Sequence, residues 1–333
     1  MKIHTQISDI NKNQWQQLVD HSPNRSFFQT LECYQFFSTL SFLKPFVFAV
    51  SENDQLMGLV VGYIIADGNI LKRYFSRRAI VPGGALLHPD ISDAALQLLL
   101  KTMRNGLKAK AIYAEFRNYS DYSSFQQQFQ SAKFEYRAHL NFHVSTPDVE
   151  TSMKRLSTTK RRDVRLSAKE GATWYVTRDE QEIAQFYSIL KNLYATKIKT
   201  PLFPLEFFVK LNQLANGKLF VVKYNGEIIG GSQCVVLPNT SVYEWFVCGL
   251  DGQFKNVFPS TISTWAGIEY AATGGIEKFD MMGAGKPDAS YGVRDFKSKF
   301  GGELLEHGRF QFVFNETLYI FGKKIISLYK SLS

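Results

Sequence analysis

The sequence predicts an α+β protein with two similar domains, each a mixed and mainly antiparallel sheet flanked by helices. Three observations support this prediction. A short segment from the first part of the chain recurs without gaps in the second part. The predicted helices and strands follow the same order around both copies. The 333 residues are enough for two domains, each with its own hydrophobic core.

The repeat consists of the segments Phe46–Gly58 and Lys218–Gly230. Each begins with an apolar, strand-forming run and continues through a polar turn into a second apolar run. The turn is Asn53-Asp54 in the first copy and Asn225-Gly226 in the second. Since Asn followed by Asp or Gly is favoured in tight turns between strands, each copy predicts a β-hairpin.

The surroundings of the two hairpins also agree. Two segments with apolar residues at helical spacing precede each hairpin, and a strand, a helix and a short strand with an acidic residue near its end follow. In the first half these are Ile10–His21, Phe27–Leu40, the strand Ile70–Phe75, the helix Asp93–Leu107 with Ser92 as N-cap, and the strand Ile112–Phe116. In the second half they are Glu180–Thr196, Pro204–Ala215, the strand Ser241–Cys248, the helix Ser260–Ala272 and the strand Ile276–Met281.

The composition is that of a soluble globular protein, with 45% hydrophobic and 21% charged residues. No apolar run approaches the roughly 20 residues of a membrane helix, and the first residues do not resemble a signal peptide. Cys33, Cys234 and Cys248 are far apart and form no C-x-x-C pair, which argues against a disulfide framework. We therefore expect a cytoplasmic protein.

No metal site is expected either. His139 and His143 are four residues apart, a spacing that would suit zinc on a helix. The residues around them alternate between polar and apolar as in a strand, and no Glu or Cys joins them on that face. A structural role is therefore the expectation for both histidines.

The formal net charge is +9, which favours anionic partners such as phosphorylated substrates, RNA or a negative membrane surface. Simple solubility is the alternative explanation. Six basic residues fall within residues 154–165, opposed only by Asp163, on a predicted helix. This run is either a solvated helix face or an anion site in which Arg161, Arg162 and Arg165 contact phosphates.

Several residues of the second copy are candidates for chemistry. Asp280 ends a predicted buried strand and could be a general base, hold Lys297 and Arg294 in place, or only cap the loop that follows. That loop, Gly283–Lys286, is not a nucleotide-binding P-loop, because Pro287 follows the lysine.

The second hairpin and the strand after it provide further candidates. Glu244 points away from its neighbour Tyr243, either into solvent or into a cleft. Gly230 and Gly231 would let the backbone approach the carbonyl of a bound donor, although a β-bulge without a ligand explains them equally well.

The segment Lys278–Glu303, KFDMMGAGKPDASYGVRDFKSKFGGE, resembles the FD, YG, FK and FG motifs of the FemA/FemB family. Arg117-Asn118 and Lys160–Ala172 are similar to family segments as well. These bacterial cell-wall enzymes carry two GNAT-type acyltransferase domains, which is the element order found here. They append amino acids to peptidoglycan precursors and take them from aminoacyl-tRNA.

The resemblance implies roles for individual residues. Lys297, the lysine of the FK motif, would stabilise the tetrahedral species of acyl transfer, with Asp280 and Glu244 as further catalytic candidates. The resemblance also implies a discontinuous first domain, residues 1–148 with 312–333, in which the amphipathic helix 317–332 packs back; residues 149–311 would form the second domain. The candidates for binding substrate in and near the motif are Tyr243, Lys286, Tyr291, Arg294 and Lys299.

The donor and the acceptor are less closely defined. CoA-dependent GNAT enzymes carry an Arg/Gln-x-x-Gly-x-Gly/Ala loop, and the matching segment Gly249–Thr261 lacks it. This favours aminoacyl-tRNA as donor and predicts no tightly bound cofactor. At the N-terminal helix, Cys33 and Phe37 replace the W…K pattern of peptidoglycan-acting members, which puts the usual acceptor in doubt.

The leading expectation is therefore aminoacyl transfer from tRNA to an amine of a UDP-linked or lipid-linked peptidoglycan precursor, or of a similar acceptor, with peripheral contact to the inner membrane surface. One alternative is an acyl-CoA-dependent N-acyltransferase that acts on an amino sugar, peptide or lipid amine. Another is an anion-binding module whose transferase site has decayed.

Overall fold

The two repeated hairpins lie in two different sheets of the computed structural model, which describes residues 1–68, 70–288 and 292–332. The chain forms two compact units: Met1–His139 together with the residues from Glu306 onward, and Leu140–Leu305. Both sheets are mixed and flanked by helices, so the predicted α+β class is confirmed.

From residue 1 to 139 the elements are β1 (Lys2–His4), α1 (Lys12–His21), α2 (Leu31–Thr39), β2 (Leu43–Glu52), β3 (Gln55–Ile65), α3 (Ile70–Ser76), β4 (Arg78–Gly83), β5 (Leu86–Leu87), α4 (Asp93–Leu107), β6 (Tyr113–Asn118), α5 (Gln126–Ser131) and β7 (Glu135–Arg137). From 140 to 305 they are β8 (Leu140–Ser145), α6 (Val149–Arg155), α7 (Thr158–Lys169), β9 (Thr173–Thr177), α8 (Glu180–Leu193), α9 (Leu205–Gln213), β10 (Gly217–Tyr224), β11 (Glu227–Leu237), β12 (Ser241–Gly249), α10 (Pro259–Thr273), β13 (Lys278–Asp280), α11 (Gly292–Lys297) and β14 (Glu303–Glu306). The chain ends with β15 (Arg309–Val313) and α12 (Glu316–Leu332).

The first sheet has the order β1-β2-β3-β4-β6-β15-β7, with β5 paired to β3. The second has the order β14-β8-β13-β12-β11-β10-β9. One large cluster of buried side chains lies between the first sheet and α4, and includes Leu99, Leu100 and Met103. In the second unit, α10 is buried along most of its length against β11 and β12, with Trp265 and Ile268 in the core.

The two hairpins match in detail. Both turns have two successive residues with positive φ, 48° and 62° at Asn53-Asp54 and 50° and 85° at Asn225-Gly226. Asn, Asp and Gly tolerate this conformation, which defines the tight hairpin turn. The pairing also shifts at the same place in both copies, after Val50 and after Val222. The repeat predicted from sequence is therefore a structural repeat, including its bulge.

The helix starts follow from local capping. The side chain of Ser92 accepts a hydrogen bond from the backbone N–H of Ala95 at 3.1 Å, as predicted for the N-cap of α4. The predicted helix over the basic run is two helices, α6 and α7, because the chain breaks at Leu156 and Ser157 caps a new helix.

One predicted strand is wrong. Residues Ile70–Phe75 form the helix α3, and the strand in this part of the sheet is β4. The apolar residues of the segment occur at positions 70, 71, 74 and 75, which is the spacing typical of a helix and not the alternation typical of a strand.

The unit boundaries differ from the predicted domain boundaries at 148/149 and 311/312. The unit changes already at Leu140, because β8 pairs with β13 in the second sheet. It changes back at Glu306, because β15 pairs with β6 in the first sheet, and the predicted boundary would divide β15. Both strands pair with partners far away in the sequence, so no local pattern assigns them.

Helix α12 belongs to the first unit but is not covered along its length. Its Tyr319 hydroxyl donates to Gln311 Oε1 at 2.7 Å and accepts from Arg137 Nη1 at 2.8 Å. Ile320 and Phe321, expected to be buried, are 51% and 50% exposed. The other apolar positions expected on this helix, Ile325, Ile326 and Tyr329, lie beyond the side chains that the structure describes. No described helix is long and apolar enough to cross a membrane.

Candidate active site

The candidate site lies in the second unit, where two parallel strands separate. β13 pairs with β12 over three residues only, from Ser241–Tyr243 opposite Lys278–Asp280. Beyond this point β12 continues to Gly249 and stays paired with β11, whereas the chain after Asp280 leaves the sheet. The opening is therefore at the carboxyl end of β13, which is the edge where ligands bind in open α/β sheets.

Asp280 is fully buried at this opening, and three donors hold its carboxylate. Oδ1 accepts from Asn141 Nδ2 and from the Met282 backbone N–H, each at 2.8 Å, and Oδ2 lies 3.0 Å from His143 Nε2. Burial opposes ionisation, but His143 and these hydrogen bonds outweigh it and hold the pKa of Asp280 below its ordinary value. An ionised carboxylate whose pKa is lowered is a weaker base than an ordinary one, so it suits a positioning role better than proton abstraction.

Lys297, at the end of α11, is 7% exposed and reaches the loop after β13. Its Nζ donates to the backbone carbonyls of Met281 and Gly283, the latter at 2.8 Å. Burial lowers the pKa of Lys297, and the nearby carboxylates of Glu244 and Asp280 oppose that shift. An ammonium group has three protons, so two carbonyls leave one donor for a ligand.

Glu244 follows Tyr243, the last β12 residue paired with β13, and stands at the start of the opening. It is 3% exposed, so it points inward and not to solvent. Neither carboxylate oxygen has a hydrogen-bond partner among the described residues. Burial raises the pKa of Glu244, and Lys297, followed by the nearby Thr264 hydroxyl, only partly opposes this. A carboxylate whose pKa is raised is a stronger base than an ordinary one, so it is better suited to accept a proton.

Two carboxyl groups with opposite pKa shifts thus lie near one buried lysine. Asp280 is held ionised, Glu244 is poised to take up a proton, and Lys297 is close enough to both to interact electrostatically with them. Pairs of titratable groups whose pKa values are pushed apart in this way are typical of general acid–base sites. A lysine beside them can stabilise negative charge that develops on a carbonyl oxygen.

The other motif residues have different surroundings. The guanidinium of Arg294 donates to the backbone carbonyls of Ala284 at 2.9 Å, Pro287 at 3.3 Å and Lys286. Arg294 therefore holds the loop that follows β13. The side chains of Lys286 and Lys299 are exposed. Tyr291 lies outside the described residues.

The glycine pair of β11 does not line the opening. Gly230 and Gly231 are paired with β10 on one side and with β12 on the other. A Cβ at Gly230 would lie 2.8 Å from the Cys248 carbonyl oxygen, and one at Gly231 would lie 2.4 Å from that of Phe220. Close packing explains both glycines. Tyr243 is buried in the same sheet, with 2% exposure.

The basic residues of α7 lie on two faces of the helix. The arginines are on an outer face, and Lys160 is on a buried inner face. Arg165 is exposed and Arg161 is half-buried, and neither has a partner among the described residues. Arg162 contacts Asp163 at 3.1 Å and is otherwise exposed. Lys160 points inward instead: its Nζ donates to Thr261 Oγ1 at 2.7 Å and stands 4.0 Å from the centre of the Phe296 ring. Burial lowers the pKa of Lys160.

Sequence reasoning missed His143 and Asn141 as members of the site. Both are on β8, and β8 meets Asp280 only because it pairs antiparallel with β13. Asn141 also accepts the backbone N–H of Gly283 at 2.8 Å, so it ties the loop to the strand. The alternating pattern around His143 correctly indicates a strand, but nothing in it identifies the partner strand.

Known proteins share the fold of this chain. Residues 153–298 match the acetyltransferase (GNAT) domain family, and this range includes Glu244, Asp280 and Lys297. The crystal structure of FemX is similar over 96% of this chain and 99% of that chain, with a TM-score of 0.72 and 14% sequence identity. No curated protein resembles the chain closely enough in sequence to count as a relative.

Two further solved structures share the fold. One is the C-terminal domain of a protein assigned as a lysylphosphatidylglycerol synthetase from Agrobacterium fabrum, with 11% identity, coverage of 95% of this chain and 96% of that chain, and a TM-score of 0.59. The other is a tandem GNAT protein from the clavulanic acid biosynthesis pathway, with 10% identity, coverage of 94% and 98%, and a TM-score of 0.58. The chain thus has the tandem fold of GNAT acyltransferases and of FemX, and the predicted resemblance is confirmed at the level of the fold.

Proposed function

We propose that the protein transfers an aminoacyl group from aminoacyl-tRNA to an amine of a peptidoglycan precursor or a similar cell-envelope acceptor. The observation that carries the proposal is the buried group of Glu244, Lys297 and Asp280 at the place where β12 and β13 separate. The similarity to FemX and to a lysylphosphatidylglycerol synthetase supports an aminoacyl group and an envelope acceptor. Because charged tRNA is present in the cytoplasm, the proposal implies a cytoplasmic location.

In this reaction the acceptor amine attacks the ester carbonyl that joins the amino acid to the 3′ end of the tRNA. A C–N bond forms, and negative charge develops on the carbonyl oxygen. Lys297 would stabilise this oxygen with its remaining N–H, since its other two protons are held by Met281 and Gly283. Asp280 would position the loop that carries those two carbonyls, because it accepts the Met282 N–H.

Glu244 would take the proton that the attacking nitrogen loses. Its raised pKa makes it a better base near neutral pH than an ordinary carboxylate would be. The intermediate then collapses as the C–O ester bond breaks. The proton passes from Glu244 to the departing tRNA hydroxyl, so the carboxyl group returns to its starting state.

The start of α10 favours tRNA over CoA as the donor. In CoA-dependent relatives a helix N-terminus binds the pyrophosphate through free backbone N–H groups. Here Pro259 has no N–H, and Ser260 donates its own to Asp251 Oδ1 at 3.0 Å. Thr261 and Ile262 donate to the Phe258 carbonyl at 3.0 and 3.1 Å. The first turn therefore has no free donor for a pyrophosphate, and the Asp251 carboxylate would repel one.

The outer face of α7 is suited to a polyanionic donor. Arg161 and Arg165 are one helical turn apart, so they lie on the same face, and both are without protein partners in the part of the chain that the structure describes. Guanidinium groups bind phosphates in a bidentate manner. This face would contact the tRNA backbone near its acceptor end.

The test is transfer of labelled amino acids from a panel of charged tRNAs to UDP-linked and lipid-linked peptidoglycan precursors. Lys297→Met should lower the transfer rate about a hundredfold to a thousandfold, the cost of losing an oxyanion donor. Lys191→Met is the matched control, because it removes an exposed lysine of α8 that has no place in the candidate site, and it should leave the rate unchanged.

Two outcomes would overturn the proposal. Transfer from an acyl-CoA, with none from any charged tRNA, would establish a CoA-dependent N-acyltransferase, the second candidate, which the match to an acetyltransferase family favours. If Lys297→Met and the control have equal rates with the correct donor, the group around Lys297 is not the site of the reaction.

A further inference from the structure

Four large apolar side chains of the first unit are exposed together on two helices. Tyr74 and Phe75 of α3 are 51% and 36% exposed, and Ile320 and Phe321 of α12 are 51% and 50% exposed. We call these four residues the α3/α12 face. They make up four of the ten large apolar side chains that are exposed in the described parts of the chain. Single exposed apolar residues need no explanation, but a cluster on one face marks a binding surface.

The face is continuous from one helix to the other. The rings of Phe75 and Phe321 are 5.8 Å apart between centroids, and those of Tyr74 and Phe75 are 5.3 Å apart. Both helices belong to the first unit and contact each other. The two helices therefore present one apolar surface and not two separate patches.

Basic residues flank these four residues along both helices. Arg73, Lys323 and Lys324 are exposed, and none forms an ion pair with a carboxylate among the described residues. The Lys323 ammonium stands 4.4 Å from the centre of the Tyr319 ring, and the Arg77 guanidinium stands 4.3 Å from that of Tyr74. The aromatic rings and the positive charges are thus held next to each other.

We propose that the α3/α12 face binds the surface of an anionic lipid bilayer. A peripheral membrane contact needs exposed apolar side chains that enter the region between headgroups and acyl chains, with Lys and Arg beside them for the anionic headgroups. Aromatic side chains with a polar edge, such as Tyr74, are favoured at that depth. The surrounding cations and the net charge of +9 complement the negative surface potential of such a bilayer.

This charge pattern separates a bilayer from the other occupants of an apolar face. A second copy of the chain would bring the same cations against Arg73, Lys323 and Lys324, and like charges repel. A nucleic acid would be attracted by the cations but would leave Ile320 and Phe321 exposed. A bilayer with anionic headgroups satisfies both the apolar and the charged residues.

The proposal is tested by flotation of the intact protein with vesicles of phosphatidylcholine, with and without phosphatidylglycerol. We expect binding to the mixed vesicles, weakened by salt, and little binding to phosphatidylcholine alone. Ile320→Ser with Phe321→Ser should weaken vesicle binding about tenfold or more, because the inserted apolar area is lost. Lys323→Glu with Lys324→Glu should weaken it about thirtyfold or more.

The matched controls are double substitutions of the same two kinds, made at exposed residues of the second unit. Leu304→Ser with Val176→Ser removes two exposed apolar side chains, and Lys191→Glu with Lys255→Glu changes the net charge equally. Both control variants should bind as the wild type does. Circular dichroism and the melting temperature establish that each variant is folded.

Three results would overturn the proposal. Vesicle binding that is unchanged in both face variants, or lost equally in the controls, would exclude the α3/α12 face as the contact. A wild-type dimer that Ile320→Ser with Phe321→Ser converts to monomer, without vesicle binding, would make the face an interface between copies. If the face variants lose binding to uncharged tRNA and the wild type does not bind vesicles, the α3/α12 face is an RNA-binding surface. None of these measurements requires aminoacyl transfer, so the outcome can be distinguished from a failure of the proposed reaction.

Discussion

The same pair of parallel strands is closed in the first unit and open in the second. In the first unit β4 and β6 pair over five residues, from Ala79–Gly83 opposite Ala114–Asn118. In the second unit β12 and β13 pair over three, and β12 continues for six residues without β13 beside it. Only in the second unit, therefore, does the longer strand of this pair continue past the point where its parallel partner leaves the sheet.

The surroundings of the buried carboxyl groups also differ between the two units. In the first unit Glu115, paired with Ile80 in the parallel ladder, accepts from Arg117 at 2.8 Å and Arg309 at 3.1 Å. The next residue after Ile80 is the apolar Val81. In the second unit Asp280 pairs with Tyr243, and the next residue is Glu244, which has no hydrogen-bond partner among the described residues.

This comparison shows what a duplicated fold keeps and what it changes. Both copies bury a carboxylate on the short parallel strand and surround it with donors, so that feature belongs to the fold. The unpaired Glu244 and the buried Lys297 belong to the second copy, at the strand opening. Chemistry is expected there because the Glu244 carboxyl group has no hydrogen-bond partner among the described residues, whereas Glu115 of the first unit accepts hydrogen bonds from two arginines.

The largest predicted effect concerns Asp280. Asp280→Ala leaves Asn141, His143 and the Met282 N–H without their acceptor, and we expect a loss of about 3–5 kcal/mol in the free energy of unfolding. Asp280→Asn should cost less, because its amide oxygen can still accept from two of the three donors. Urea unfolding near neutral pH measures both; equal losses would mean that the hydrogen bonds are not the cause.

The Asp280 effect should also depend on pH. Folding lowers the pKa of Asp280, so its contribution to stability is fully present above the ordinary Asp value of 3.8 and is lost as the pH falls through the folded value. The difference between wild type and Asp280→Asn should therefore shrink in acid. A difference that is constant from neutral to acid pH would contradict this.

A smaller effect is expected at Glu115 in the first unit. Burial opposes ionisation, but Arg117 and Arg309 outweigh it and hold the pKa of Glu115 below its ordinary value. Glu115→Gln removes the charge while both arginines remain, and should cost about 1.5–3 kcal/mol, since the two guanidinium groups are partly accessible to water. Thermal unfolding measures this loss. Stability equal to that of the wild type would show that the two arginines do not need the carboxylate.

The smallest effect, with the opposite sign, is expected at Glu244. Folding raises the pKa of Glu244, so the wild type loses stability as the pH rises from the ordinary Glu value of 4.5 to the folded value. Glu244→Gln avoids this loss and should be at least as stable as the wild type at neutral pH, with the advantage vanishing below 4.5. Glu244→Val, which copies Val81 of the first unit, should also be stable. Melting temperatures measured from below pH 4.5 to neutral pH test this prediction. A Glu244→Gln protein that is less stable than the wild type at neutral pH would contradict it.

Much of the fold can be predicted from the sequence because its signals are local. The two hairpins follow from Asn-Asp and Asn-Gly turns, and α4 begins where Ser92 caps it. Local patterns fail at Ile70–Phe75, where strand-forming residues stand at helical spacing. They also fail for the unit boundaries, because β8 and β15 pair with strands that are distant in the sequence.

For the site, strand position and the family resemblance indicate Asp280, Glu244 and Lys297 as candidates, but they do not indicate how these residues act. The choice between a solvent-facing and an inward Glu244 depends on burial, which only the packed sheet decides. The glycine pair Gly230-Gly231 suggests a donor site from sequence alone, yet packing against neighbouring backbone accounts for it.

The sequence by itself therefore determined the duplicated architecture and the hairpin turns, because turn conformation, capping and periodicity act over a few residues. The candidate lysine was indicated by the resemblance of its segment to a family motif. Only the tertiary structure decided that the two parallel strands separate in the second unit, and which side chains lie together where they separate. His143 reaches Asp280 across 137 residues of sequence, and that contact helps to hold the carboxylate ionised while Glu244 stays unpaired. Charge states depend on burial and on distant partners, which are set only when the strands pair.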